Sequence, residues 1–497
     1  MTDESDKNQI DVRAPQTQHS RRIFLSRVAP ASAAAAAAVG IAIAVDDDPP
    51  EHARTPPGST VVPGARLTYN VRDYGAEGNG QTDDAKAIQS AIHAAIHHGG
   101  TVYFPVGTYA VGKTLVCDEN AAPFTLCGAG GSGNAPSVLL YTGSAGGPSG
   151  GLLTFNSSFN FEVCHLAFNY DNTAFRGDLI NIDGAPHAAD SQAFHIHHCG
   201  SRALQAPSAR SIVRLNKAVI GTISHCGLTG TAGNAIRIGD PGGSYVNAFQ
   251  VEKCTFNVNN NAHILIGTAD GESIVIRDCT FEAGTRTTGI RGATTAVDGG
   301  DNSLYSPVIE CCWFGDAGAP TTWIDGLIVQ SNAQNAAEAG LPAAAYTGTV
   351  RGCRFASTQG GTHVRLQGSW LVESNSFEDG TVYATTGTAS LSLVAIANLY
   401  NNTSMVFDSA GFPQGLPARY VSLGNQGADD VLAGAKLGLF GAPPAAQPKA
   451  ARTAGGFAAG TGPAVDAAAT FTGGVGTSAY TIGDIVKALK QIGAIAS

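Results

Sequence analysis

Asp298 and Asp325 are the carboxylates whose setting best suits acid–base chemistry, because each closes a short alternating segment, TAVDG and WIDG. Glycosidic hydrolysis takes two carboxyl groups, one protonated and one ionised. On successive strands of a stacked fold they would lie roughly 5 Å apart, the separation of a retaining pair. Like charges that close raise one pKa and so supply the acid. Trp323 stands two positions before Asp325, on the same strand face, and offers an apolar plate for a sugar ring. Arg214 and Arg237 recur in IVRLNK and AIRIGD. Their planar forks match a uronate carboxylate and, with a base, would serve β-elimination. Asp183 and Asp240 flank the same segments. Asp-Gly is equally a turn signal, and two Arg on an acidic chain are equally solvated charges, so the structural alternatives stand beside the chemical ones.

The elements that would position these side chains announce themselves as an internal repeat. From residue 161 the phrase apolar-x-x-Cys-x-apolar recurs at Cys164, Cys199, Cys226, Cys254, Cys279, Cys312 and Cys353, with Asn375 and Asn398 in the same place, at spacings of 22 to 41 residues. Such a period implies a solenoid. Stacked turns of chain would align the Cys and Asn in one interior column, as buried thiols and amide ladders rather than disulfides. After each Cys comes a second alternating segment: LINIDG, IVRLNK, AIRIGD, HILIG, TAVDG, WIDG and HVRLQG. Period two sends Ile180, Ile182, Val213, Leu215, Ile236, Ile238, Ile264, Ile266, Val297, Ile324, Val364 and Leu366 inward. Two outward columns result. One holds Asn181, Arg214, Arg237, Leu265, Ala296, Trp323 and Arg365; the other holds Asp183, Asn216, Gly239, Gly267, Asp298, Asp325 and Gln367. His195, His197 and His198 beside Cys199 could ligate a metal, but an alternating strand explains them as well. No carboxylate cluster suggests Ca²⁺, and neither metal nor cofactor is expected.

Near the start, Ala85, Ile88, Ile92 and Ile96 recur at helical spacing, with Thr82 or Asp83 as cap, Asp83 and Asp84 at the positive end of the helix dipole, and Gly99-Gly100 as the stop. A one-sided helix here would close the open end of the solenoid. NVRDYGAEGNGQTDDAKAIQSAI followed by GGTVYFPVGTY resembles the amino-terminal signature of the pectate-lyase-like superfamily, which includes polygalacturonase-related proteins and phage tailspikes. The resemblance implies an all-β fold, a single-stranded right-handed parallel β-helix, and substrates among acidic or surface polysaccharides. The polygalacturonase-type motifs Asn-Thr-Asp, Gly-His-Gly and Arg-Ile-Lys are absent, Arg237-Ile238-Gly239 coming nearest, so no catalytic residue is carried over.

The 497 residues carry 63 Gly, 43% hydrophobic and 14% charged residues and a net charge of -10. No basic surface suited to nucleic acid is evident. Ser20-Arg21-Arg22-Ile23-Phe24-Leu25, before an Ala-rich run, reads as a twin-arginine signal over residues 1–44, with periplasmic or secreted destination and no stable membrane anchor after its removal. The expected organisation continues with a linker at 45–66, the β-helix at 67–440, a Pro/Ala/Gly-rich linker at 441–476 and a C-terminal helix at 477–497. That helix, with Ile482, Ile485, Val486, Leu489 and Ile492 on one face and Thr481 as cap, would dock on the β-helix or join copies into a homotrimer. The partner is expected to be a polysaccharide. Three readings follow: a glycoside hydrolase or polysaccharide lyase, a glycan-binding adhesin-like solenoid, and a tailspike-like structural protein.

Overall fold

In a computed structural model, residues 67–426 are described apart from interruptions, the longer ones at 131–135, 144–150, 185–189, 202–209, 283–287, 316–321, 330–345, 385–391 and 408–418; beyond 426 only short strand pieces are described. The described residues fall within one unit, Gly64–Ser497. The leader, the 45–66 linker and nearly all of the C-terminal helix lie outside them. Tyr480–Thr481 form a strand with Thr470–Phe471, and Arg452–Thr453 pair with Gly456–Phe457, so the stretch expected as linker contains short antiparallel pairs.

Each turn of the chain contributes one strand to a first, 14-stranded sheet and two to a second sheet, and successive turns pair in parallel. One turn, for example, consists of Ala218–Ser224, Gly227–Thr231 and Asn234–Ile238; the next consists of Val246–Glu252, Thr255–Asn259 and Ala262–Ile266. The architecture is a right-handed parallel β-helix. Its first corner is sharp and repeats. His165, His198, His225, Lys253, Asp278, Cys311, Gly352, Ser374, Ala397 and Gly424 all occupy the left-handed region, with φ between 51° and 62°. The next residue points into the interior, and that position is the expected column.

The column needs one correction. Leu166 occupies it at the turn where Cys164 was expected, and Cys164 sits two residues earlier, in register with Cys127 and His197. Cys199, Cys226, Cys254, Cys279, Cys312 and Cys353 follow as buried free thiols. Asn375 and Asn398 continue the column, and Asn425 extends it as a ladder. The Asn375 amide N–H donates to Asn398 Oδ1 at 3.0 Å, and Asn398 Nδ2 donates to the Val372 carbonyl at 2.9 Å and to Asn425 Oδ1 at 3.0 Å. Two residues beyond the column, Phe256, Phe281, Phe314, Phe355, Phe377 and Tyr400 stack with centroids 4.6–5.2 Å apart. That spacing is the interstrand distance expressed in rings.

Helix α1 (Ala85–His98) buries Ala85, Ile88, Ala91, Ile92, Ala95 and Ile96 over the first turn. Asp84 holds the N-cap position, but its carboxylate accepts from the Glu77 and Gly78 amides instead of the helix. Asp83 Oδ1 accepts from the Ala85 amide at 3.0 Å, so Asp83 is the side chain that meets the helix start. Gln89 completes the seal. Its amide donates to the Val116 carbonyl and accepts from the Val116 N–H, both at 2.8 Å, standing in for a neighbouring strand.

Candidate active site on the second sheet

The register of the second sheet decides which outward residues are neighbours. Reading from turn to turn, Thr154, Asn181, Arg214, Arg237, Leu265, Arg291, Asp325 and Arg365 occupy one column. The expected column agrees except at two places. Thr288–Gly292, not TAVDG, is the strand that pairs here, so Arg291 stands where Ala296 was expected. Thr295–Asp298 instead form the short helix α2, and Val297, expected inside, is 75% exposed. Ile290 fills the inward position. The second difference is at Trp323. Asp325, in register with Arg291 and Arg365, takes the column position, and Gly326 beyond it is a bulge with φ 67° that restores the parity for Leu327.

Trp323 shares the strand face of Asp325 yet is completely buried. The phenylalanine stack folds over this end of the strand: the Phe314 ring lies 5.8 Å from Trp323, and Phe256 lies 5.8 Å from His263, which holds the equivalent position two turns earlier. The expectation that Trp323 stacks on a sugar is therefore corrected. Period two identifies the face of a strand, but the corner decides whether that face is open.

Four of the expected residues come together. The Arg214 guanidinium donates from NH1 to Asp183 Oδ2 at 3.0 Å and to Asn181 Oδ1 at 2.5 Å, and from Nε, at 3.0 Å, and NH2 to Asp240 Oδ2. Arg237 Nε donates to Asp240 Oδ1 at 2.8 Å. Asp240 is thus held by guanidinium groups from two successive turns. All four side chains are at most 29% exposed. Burial pushes the Asp240 carboxyl upward, but the hydrogen bond and charge of Arg214, with the charge of Arg237, hold it below the ordinary value. Burial likewise works against the Arg214 charge, and Asp240 and Asp183 more than restore it. Arg237 gives Asp240 only its Nε, and its NH1 and NH2 groups make no hydrogen bond among the described residues.

Asp298 and Asp325 are each bound by a different arginine. Asp298 closes α2 and accepts from Arg291 at 2.8 and 2.9 Å and from the Thr294 amide at 3.0 Å. Burial raises its pKa, but Arg291 and that amide outweigh it and leave the carboxyl below its ordinary value. Asp325 accepts from Arg365 at 2.5 and 2.7 Å. Each aspartate has its own arginine and its own glycine turn. Arg291, missed in the sequence, had a usable signal: GIRG repeats the apolar-Arg alternation of AIRI in Asn234–Ile238. A concavity beside α1, lined by Asp83, Lys86, His93 and Lys113, lies at the capped end. Its Asp83 is committed to the Ala85 and Gly112 amides, so the charged strip is the better candidate.

Residues 68–291 match the family described as rhamnogalacturonase A/epimerase, pectate lyase-like. Alginate lyase 7 of Azotobacter vinelandii is 59% identical over 46 residues, 9% of this chain and 5% of that protein. Plasmin and fibronectin-binding protein A of Streptococcus pneumoniae is 40% identical over 81 residues, 15% of this chain and 11% of that protein. These matches therefore span only a small part of either relative. Among solved structures, the A-module of mannuronan C-5 epimerase AlgE4 from Azotobacter vinelandii is similar, with a TM-score of 0.45 at 15% identity over 71% of this chain and 99% of that one. Residues 68–291 are thus similar to the pectate lyase-like family, and the fold on which they lie is the right-handed parallel β-helix.

Proposed function

We propose that the protein is an exported carbohydrate-active enzyme that cleaves a uronate-containing polysaccharide by β-elimination on the charged strip of the second sheet. The observation that carries this reading is Asp240, an ionised carboxylate shared by Arg214 and Arg237 from adjacent turns. A uronate carboxylate entering the strip meets the NH1 and NH2 groups of Arg237 as a bidentate partner. Neutralising that carboxylate acidifies the hydrogen on the adjacent carbon. Sharing Arg237 with the substrate also loosens its hold on Asp240 and makes Asp240 the more basic. Asp240 takes the proton, the electron pair forms the double bond, the glycosidic oxygen leaves, and water protonates it. Asp183 keeps Arg214 in place, while the Arg291–Asp298 and Arg365–Asp325 pairs extend the strip to further sugar units.

Hydrolysis is less well supported, because it needs a carboxyl held protonated and both Asp240 and Asp298 lie below the ordinary carboxylate range. The name of the alginate lyase relative agrees with chemistry at a uronate. A second reading, a non-catalytic glycan binder, is favoured by the mutual pairing of the Arg and Asp side chains. The test is incubation of the protein with alginate, pectate and neutral glycans, reading the ultraviolet absorbance of an unsaturated product and new reducing ends. Absorbance that falls at least about a hundredfold in Asp240→Asn, with Arg237→Ala raising KM as well, is the expected result. Reducing ends without absorbance make the protein a hydrolase. Binding without cleavage makes it an adhesin-like solenoid.

A further inference from the structure

The outward face of the first sheet concentrates imidazoles that the charged strip does not use. Strands Phe159–Cys164, Ser191–His197 and Ala218–Ser224 run in parallel register, placing Glu162 beside His195 and Cys164 beside His197. The left-handed corner residue of each of these turns is also a histidine. The His165 and His198 rings stack at 5.1 Å, and the His198 and His225 rings at 4.9 Å. Glu162, His195 and His197 are all partly buried, and each offers one ligand atom, all within 4.8 Å of one another. His197 Nε2 lies 2.5 Å from Glu162 Oε1. On its other side, His197 Nδ1 lies 2.8 Å from His198 Nδ1, and His195 Nε2 lies 2.8 Å from Ser224 Oγ. His197 thus already has an outer hydrogen-bond partner on the nitrogen that does not meet Glu162, the arrangement that orients a metal-bound imidazole.

We propose that Glu162, His195 and His197 bind one divalent transition-metal ion, with zinc as the best match. Two imidazoles and a carboxylate form a donor set for zinc and its neighbours, whereas calcium and magnesium demand oxygen throughout. The ion takes the place of the proton between His197 Nε2 and Glu162. The Nδ1 contact to His198 then sets the His197 tautomer. Tetrahedral zinc with bonds of about 2.0–2.2 Å requires donors roughly 3.3 Å apart, and the present donors lie within 4.8 Å of one another. Three protein donors leave a fourth position for water. His165, His197 and His198 form a second group within the same distance. The first is preferred, because its carboxylate offsets the charge of the ion and His198 is exposed. The ion joins neighbouring strands, so its binding stabilises the fold.

The test uses the full chain without a polyhistidine tag, stripped of metal and titrated with Zn²⁺ by calorimetry and with Co²⁺ by visible absorption. One equivalent is expected to bind, with a cobalt band of four- or five-coordinate geometry and a higher melting temperature in zinc. Glu162→Gln and His197→Ala each weaken binding at least about tenfold, while His225→Ala leaves it unchanged. Circular dichroism checks that each variant folds. Absence of saturable binding overturns the proposal. So does binding that survives Glu162→Gln but is lost in His165→Ala, which places the ion in the all-imidazole group.

Discussion

A single buried imidazole illustrates how far the consequences of one residue reach. His263 accepts from Asn259 Nδ2 at 3.0 Å through Nδ1 and donates from Nε2 to the Glu282 carbonyl at 2.7 Å. Burial pushes its pKa down to about 4, against the pull of that carbonyl, and burial lowers His363 similarly. Below pH about 6.5 the unfolded chain takes up protons that these folded sites refuse. Their contribution is therefore complete above that pH and is lost as the pH falls toward 4, on the order of 3 kcal/mol for His263. Asp240 and Asp298, with lowered pKa values, lose theirs only at still lower pH, below about 4. The melting temperature is expected to fall between pH 6.5 and 4, and His263→Gln to flatten that limb; a level profile in the wild-type chain would refute the assignment. In the sequence His263 is one more alternating position of HILIG, because nothing local announces that a phenylalanine from another strand covers it.

Among elements, the corner column is the feature most legible in the sequence. Its period, its interior placement and the equivalence of Cys with Asn all hold, because one corner geometry is repeated and each copy leaves the same small space. The exceptions are instructive. Cys164 fits the phrase but is displaced by two residues, since a parallel register is decided by partners on the neighbouring turn and not by the phrase. TAVDG alternates as a strand does, yet it is a helical turn, because GIRG already occupies that place in the sheet. The two halves of the column also differ in energy. Asn398→Ala leaves the buried Asn375 N–H without its acceptor and is expected to cost about 2–4 kcal/mol. Cys279→Ala removes thiol contacts to the Val251 and Arg277 carbonyls of 3.7 and 3.2 Å and is expected to cost about 1 kcal/mol. Urea midpoints of the two variants compare them directly; equal losses would mean that the ladder is no stronger than the thiols.

For the molecule, a stack of turns must end somewhere, and α1 closes the first turn. Ile92→Glu places a charge beneath that helix. It is expected to lift α1, expose the edge that Gln89 seals and make the protein self-associate, as light scattering would detect; a monomeric variant of unchanged melting temperature would show that the edge needs no cover. Among the described residues no helix is long and apolar enough to cross a membrane. By itself the sequence determined the solenoid, its interior parity along most strands, the capping helix and the pairing of Arg214 with Arg237. These follow from local periodicity and from chain spacing that recurs turn after turn. Only the tertiary structure decided that Asp240 is shared by both arginines, that Asp298 and Asp325 are each bound by a separate arginine, that Trp323 is covered, and that Glu162 meets two histidines from the next turn. Those contacts depend on register between turns and on the corners that bury one end of a strand, and neither is written in any single stretch of chain.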